Sequence, residues 1–424
     1  MAKDDISSPP APAPVSGSGP LLPPQDRGVR PLRQQVLEQI RACGQISRSE
    51  VAKELGISPA SVSAIVSGLV AEGLVTEIEG APRESGRGRP PVALKIVPEA
   101  GFVVGINLRF GLMTAVVLDF AGNEVANVTV GSDHSRLDLD AITKRIDAGF
   151  AGVLAKAGLA PTDIAATGVG IPGYVQEVTG LVYWSPILKM RNVNLGDLLS
   201  NRLSCPVFLD NDVNLLALAE LWFGVGRGLS DFAVVTIEQG VGMGSVQGGR
   251  IFRGARGLGL ELGHTTMQID GALCRCGQRG CLEAYVADYA LVREASTALD
   301  WENNPVPSPA QMIEILFDQA KAGNQEAQLI FRRAGRYLSA GMANMIRLFD
   351  PELVILSGAR LRYDFLYAEE VLSEVHRFSD RLGRPRTPIE VHTWGDLVWA
   401  RGAAALALSE ITAQVGQAAE AASP

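Results

Sequence analysis

Apolar residues along this chain keep two rhythms. From about residue 30 to 70 they recur at helical spacing; from about residue 101 they gather into short runs separated by helical stretches. Leu32, Val36, Leu37 and Ile40 share one helical face. In ISRSEVAKELGISPASVSAIVSGLVAEGLV, Ser47 and Glu50 form an S-x-x-E capping box that opens a short helix. Val51, Ala52 and Leu55 are its inner side, and Gly56 ends it. Ser58 caps a third helix with Pro59 in its first position, and Val62, Ile65, Leu69 and Val70 are the expected stripe. Strands follow over 74–78 and 92–96, on either side of GAPRESGRGRPP. Helix, short turn with Gly, helix and a strand pair predict a winged helix-turn-helix with a basic wing.

Beyond residue 101, FVVGINL, MTAVVLDF, DIAATGVGI, PVFLDND, DFAVVTIEQG and ELVILSGA read as strands bounded by Gly, Asn or Asp. Helices are expected over 139–157, 213–221, 281–298, 309–322 and 326–349, with a C-terminal helix over about 394–414 and fraying after about Gln414. Strands alternating with helices imply sheets covered on their faces.

Composition sharpens this division. The chain has 424 residues, 47% of them hydrophobic, enough for two or three domains. Residues 1–28 carry seven prolines and few large apolar side chains, and are expected to be a disordered tail. That tail has no apolar core like a signal peptide's, and no run approaches the roughly 18 apolar residues of a membrane span. A cytoplasmic protein is the expectation. The net charge is −8, yet ten Lys and Arg against seven Asp and Glu between Arg27 and Lys95 leave that part mildly basic. Only that end is suited to a polyanion. Arg87 and Arg89, spaced by glycines, would suit a narrow minor groove. Ser58, Ala60, Ser61, Ser63 and Ser67 at the exposed start of the third helix offer small groups for phosphate or shallow base contacts. A small helical module for protein contacts, or an inert insertion, is the alternative.

The chemistry concentrates in GALCRCGQRGCLEAY. Three of the chain's five cysteines, Cys274, Cys276 and Cys281, fall there, and His264 stands upstream in GLGLELGH. One imidazole and three thiolates make a closed tetrahedral zinc shell, structural because no position is left for water. Glu261 and Glu283 bracket the cluster, and LDNDVN places Asp210, Asn211 and Asp212 at a strand end that opens a helix. Grouped carboxylates and carboxamides suit vicinal hydroxyls. Spacing alone would equally fit helix caps and surface charges.

GLGLELGH and CRCGQRGCLEAY, with GVGIPG and LDNDVN upstream, resemble the ROK family of repressors and sugar kinases over roughly residues 30–408. The resemblance implies an α/β chain: an N-terminal winged helix-turn-helix followed by a two-lobed actin-like (ribonuclease-H-like) ROK domain. The expected division is a tail over 1–28, the winged module over 29–98, lobe 1 over 99–205 completed by the C-terminal helix, and lobe 2 with the zinc site over 206–393. Carried over by motif, Asn211, Asp212, Glu261, His264 and Glu283 would bind sugar hydroxyls, with His264 sharing its ring between zinc and sugar. Gly170, Pro172 and Gly173 would shape the neighbouring loop.

The family holds kinases and regulators. A kinase of this fold opens with a D-x-G-G-T-like turn; here GINLRFGL puts Asn107 at the acid and Arg109 and Phe110 at the glycines. In the second phosphate segment, EQGVGMGS brings Glu238, a carboxylate that polyphosphate would repel. The expectation is therefore no catalytic residue and no enzyme. The chain reads as a sugar-responsive transcriptional regulator, a repressor of carbohydrate uptake or catabolism genes acting as homodimer or tetramer on operator DNA. It would release that DNA on binding a monosaccharide. An ATP-dependent sugar kinase with a DNA-binding domain is the alternative.

Overall fold

A computed structural model of the chain describes residues 17–21, 30–79, 92–131, 135–298, 308–357, 369–379 and 385–421. The N-terminal module comprises α1 (Leu32–Cys43), β1 (Ile46–Ser47), α2 (Arg48–Leu55), α3 (Pro59–Ala71), β2 (Val75–Glu79) and β3 (Val92–Ile96). Its local signals act as read. The Glu50 N–H donates to Ser47 Oγ at 3.3 Å and the Ser47 N–H donates to the Glu50 carboxylate at 2.9 Å, closing the capping box. Gly56 ends α2 in the left-handed region at φ 65°. Ser58 Oγ accepts from the Ser61 N–H at 3.1 Å, and Pro59 begins α3.

Two expectations change. The inner face of α3 is Val62, Val66 and Leu69; Ile65 is half-covered and Val70 is exposed. Residues four and then three apart stack on one side of a helix, and positions 65 and 70 lie off that line. β1 pairs antiparallel with β3, so the sheet runs β1-β3-β2. Arg87 and Arg89 fall in 80–91, outside the described residues.

The body continues with β4 (Phe102–Arg109), β5 (Leu112–Asp119), β6 (Glu124–Gly131), α4 (Leu139–Ala157), β7 (Ile164–Ile171), β8 (Tyr174–Gln176), β9 (Leu181–Trp184), β10 (Val193–Asn194), α5 (Leu195–Leu203), β11 (Val207–Asn211) and α6 (Asp212–Phe223). Then come β12 (Phe232–Ile237), β13 (Val241–Gln247), β14 (Arg250–Phe252), α7 (Glu283–Val286), α8 (Asp288–Ala298), α9 (Pro309–Lys321), α10 (Gln325–Phe349), β15 (Leu353–Ser357), α11 (Glu369–Ser379), β16 (Ile389–His392) and α12 (Val398–Ala421). Two five-stranded sheets result, β11-β7-β4-β5-β6 in lobe 1 and β14-β13-β12-β15-β16 in lobe 2. β8, β9 and β10 form a small third sheet.

The lobe boundary expected at 205/206 lies too early. β11 pairs in parallel with β7, so lobe 1 extends to Asn211. The single helix expected over 281–298 breaks at Ala287, whose extended ψ of 159° separates α7 from α8. α12 runs on to Ala421, past the expected fraying. It packs on β4, β7 and α6, and α1 packs on it in turn. The apolar core of the N-terminal module is therefore continuous with the core around α6 and α12. Val36, Leu37 and Ile40 are fully buried in it, each contributing about 1.5–3 kcal/mol. No described helix is long and apolar enough to cross a membrane.

Candidate functional site

The β11–α6 junction places the first group. Asp210 is 1% exposed, and a fork from Arg253 holds it: Nε donates to Oδ2 at 2.8 Å, and Nη2 lies 2.7 Å from the same oxygen. Asp210 Oδ1 also accepts from Asn214 Nδ2 at 2.8 Å. It is an internal brace. Asn211 caps α6, accepting from the Val213 N–H at 2.8 Å, and its Nδ2 donates to the Gly173 carbonyl at 2.7 Å. Both ends of this carboxamide are engaged, so its first task is to hold the loop at the end of β7. Asp212, the first residue of α6, faces the cleft. Desolvation and the like charge of Glu238 push its carboxyl up to about 6, against the pull of Arg109.

The cysteine loop supplies the rest. The ligand atoms of His264, Cys274, Cys276 and Cys281 all lie within 4.8 Å of one another. Cys274 Sγ is 3.6 Å from His264 Nδ1, and Cys276 Sγ is 3.8 Å from Cys281 Sγ. A tetrahedron with metal–sulfur bonds of about 2.3 Å has edges of about 3.8 Å, so this donor set could hold a metal ion. With Nδ1 turned to Cys274, His264 Nε2 remains for a second partner.

The two flanking glutamates have different surroundings. Glu283 begins α7 and is 8% exposed. Its Oε2 accepts from the Val241 N–H at 3.3 Å, and Oε1 lies 3.4 Å from the Tyr289 hydroxyl, a neighbour the motifs did not announce. A side chain at Gly240 would come within 2.8 Å of Oε2, so this close approach requires glycine there. Glu261 has an exposed surface at the cleft, yet desolvation by the walls around it and the like charges of Glu283 and Asp212 push its carboxyl up to about 7, against the pull of His264.

Across the cleft, Arg109 at the end of β4 is held between Glu238, at 3.5 Å, and Asp396, at 2.8 Å. Its guanidinium lies 4.0 Å from the centre of the Trp399 ring. The two unusual residues of the phosphate-type turns are thus partners of each other. Asn107 is 1% exposed, with its Oδ1 unpaired.

On the N-terminal module, Ser58, Ala60, Ser63 and Ser67 are exposed and Ser61 is half-buried. The start of α3 therefore presents the small groups expected of it.

Residues 30–76 match a winged helix-turn-helix DNA-binding family. A xylose repressor of Caldicellulosiruptor bescii is 29% identical over 86% of this chain and 92% of that relative. The crystal structure of a ROK family transcriptional regulator, a homologue of the Escherichia coli MLC protein, shares the fold with a TM-score of 0.74. It is 24% identical, over 91% of this chain and 98% of that one. A ROK family glucokinase from Streptomyces griseus, solved with glucose and AMPPNP, superposes with a TM-score of 0.63 and 28% identity over 72% of this chain and 99% of that one. Residues 132–410 match the ROK family itself, and this chain belongs to it.

Proposed function

We propose that the chain is a sugar-responsive transcriptional repressor that has lost kinase chemistry. One observation carries this reading. Asp212, Glu261, His264 and Glu283 lie close enough to feel one another's charge, while Arg109 and Glu238, at the turns a kinase of this fold would offer to phosphate, are tied up with Asp396 in the chain's own ion pairs. Those four side chains and Asn211 are the sugar ligands, and Asn211 also keeps the Gly173 loop in place beside them. No residue acts as a catalyst. His264, Cys274, Cys276 and Cys281 hold a structural zinc ion, which fixes the loop that carries both glutamates.

The charge of the cleft selects the effector. Asp212, Glu238, Glu261, Glu283 and Asp396 stand against the guanidinium of Arg109, itself paired twice. An uncharged monosaccharide suits this field; a phosphorylated one is repelled. Ser58, Ala60, Ser61, Ser63 and Ser67 meet operator DNA in the major groove, and Arg87 and Arg89 reach its minor groove. A homodimer or tetramer presents the modules to paired half-sites.

Fluorescence anisotropy on the DNA upstream of its own gene, titrated with monosaccharides and their 6-phosphates with and without ATP, tests this. Release by one neutral sugar without ATP is the expected result, with the matching phosphate at least tenfold less effective. Sugar phosphorylation accompanied by ATP turnover would favour the kinase alternative, which the likeness to a glucokinase keeps in view. Arg87→Ala with Arg89→Ala should lower the salt slope of operator binding by about 0.9 per lost phosphate contact.

A further inference from the structure

Residues 17–21 lie in a Pro-, Ser- and Gly-rich stretch whose composition promises no fixed structure, yet they are seated in the molecule. Ser18 is 5% exposed. Its N–H donates to the Arg41 carbonyl at 3.2 Å, near the end of α1, and its hydroxyl donates to the Ala121 carbonyl at 2.5 Å, in the β5–β6 turn. The Gly19 N–H donates to the Trp222 carbonyl at 2.9 Å, and the Leu21 N–H to the Arg227 carbonyl at 2.6 Å. Arg227 closes the seat from the other side: Nε donates to the Gly19 carbonyl at 3.0 Å and Nη2 to the Ala42 carbonyl at 2.7 Å. Gly17 adopts φ +140°, and a Cβ there would sit 2.5 Å from the carbonyl oxygens of Arg41 and Ala42. Ordering a tail of this composition costs conformational entropy, so so many directed bonds over five residues mark a specific seat.

The elements it joins are the ones a regulator has to connect. α1 belongs to the winged module. α6 begins at Asp212, in the acidic cleft, and carries the segment at its far end, at Trp222. Its 12 residues span roughly 18 Å. From Leu215 to Trp222 every α6 residue is buried, so the helix is packed to move as a rod. The module has another attachment, in which Arg41 Nη1 donates to Thr412 Oγ1 and Nε to the Phe120 carbonyl, both at 3.0 Å. That attachment reaches α12 and lobe 1. It also touches α6, where the Arg41 guanidinium lies 5.8 Å from the centre of the Trp222 ring, and the N-terminal segment adds hydrogen bonds to that end of the helix.

We infer that Gly17–Leu21 is a coupling strap: it passes movement of α6, set by occupancy of the acidic cleft, to the DNA-binding module. This rests on the sensor reading above. Three full-length comparisons test it, by operator anisotropy with and without the effective sugar and by calorimetry of sugar binding. Deletion of residues 1–16 leaves the strap and should behave as the intact chain, in which coupling of this kind changes operator affinity roughly 5- to 150-fold. Gly17→Val, which cannot be seated, and deletion of residues 1–21 should both keep sugar affinity and sugar-free operator affinity while the sugar-induced change falls to unity. Should Gly17→Val fail to fold, the deletion of 1–21, which introduces no clash, decides alone. A sugar-induced change that survives both would make the segment a passive staple and overturn the inference. Loss of sugar affinity would overturn it too, because the segment would then shape the pocket. If the intact chain responds to no sugar, the sensor reading fails first and takes the strap with it; that outcome is seen before any variant is made.

Discussion

On one side of the cleft, Glu261, His264 and Glu283 are placed by a cysteine loop whose four donors converge within 4.8 Å. On the other, Arg109, Glu238 and Asp396 satisfy one another. The first side keeps acceptors available and spends structure on aiming them. The second spends its charges internally. Read separately, Arg109 and Glu238 look like two independent losses from two phosphate turns. As an ion pair they look like one replacement, in which the protein supplies the bridge across the cleft that a nucleotide would otherwise supply.

The comparison is tested most severely at the metal. Cys276→Ser should remove bound zinc and lower sugar affinity by at least the 10- to 100-fold that loss of a mere supporting partner costs. Metal content by atomic emission, beside sugar calorimetry, measures both. Full zinc occupancy in the variant would detach Cys276 from the donor set. Glu283→Ala comes next. It removes a ligand and leaves the Val241 N–H without its acceptor, costing about 1–3 kcal/mol of stability. Operator binding should persist and the sugar response should vanish. A variant that still releases DNA at the same sugar concentration would move the sensing site elsewhere.

How much of this was legible in the sequence follows from how local each feature is. The winged module declares itself because caps and stripes are written within a few residues: Ser47 with Glu50, Ser58 with Ser61, Gly56 at a left-handed turn. The donor set is equally plain, since His264, Cys274, Cys276 and Cys281 span few residues and their types have few other uses together. β1 stayed hidden because a two-residue strand has no period. The boundary at β11 was misplaced because PVFLDND has the apolar content of a central strand in either sheet, and only pairing with β7 decides. Arg253 bracing Asp210 and Arg109 meeting Glu238 join positions 43 and 129 residues apart, and no motif couples them. The strap is the extreme case. Apart from the Arg227 guanidinium its partners are backbone carbonyls, which carry no residue signature at all.

A smaller effect is expected on the nucleotide side. Arg109→Ala would break both ion pairs and the stacking on Trp399, which together contribute about 1–2 kcal/mol at a partly exposed site. Sugar affinity should change little beside Glu283→Ala, and no ATP turnover should appear. A loss of sugar binding as large as that of Glu283→Ala would mean that the two halves are one site.

An effect of similar size lies where the halves meet. Asp212 carries a carboxyl held near 6, above its ordinary value, by desolvation and by Glu238. A raised carboxyl binds its proton more tightly in the folded chain than in the unfolded one, so the folded state loses stability as pH rises from about 4 to about 6 and stays lowered above. Asp212→Asn removes that penalty. After allowance for partial exposure, it should stabilise the sugar-free protein by on the order of 1–2 kcal/mol at pH 8, and by nothing below pH 4. Thermal melts of both proteins across that range give the difference directly. The same change should weaken sugar binding, because a carboxamide accepts fewer hydroxyls than a carboxylate. Gain in stability with loss of sensing is the pattern expected of a residue kept for its ligand. A variant no more stable than the parent at pH 8 would instead leave Asp212 well solvated, and the divide between the two halves would no longer pass through it.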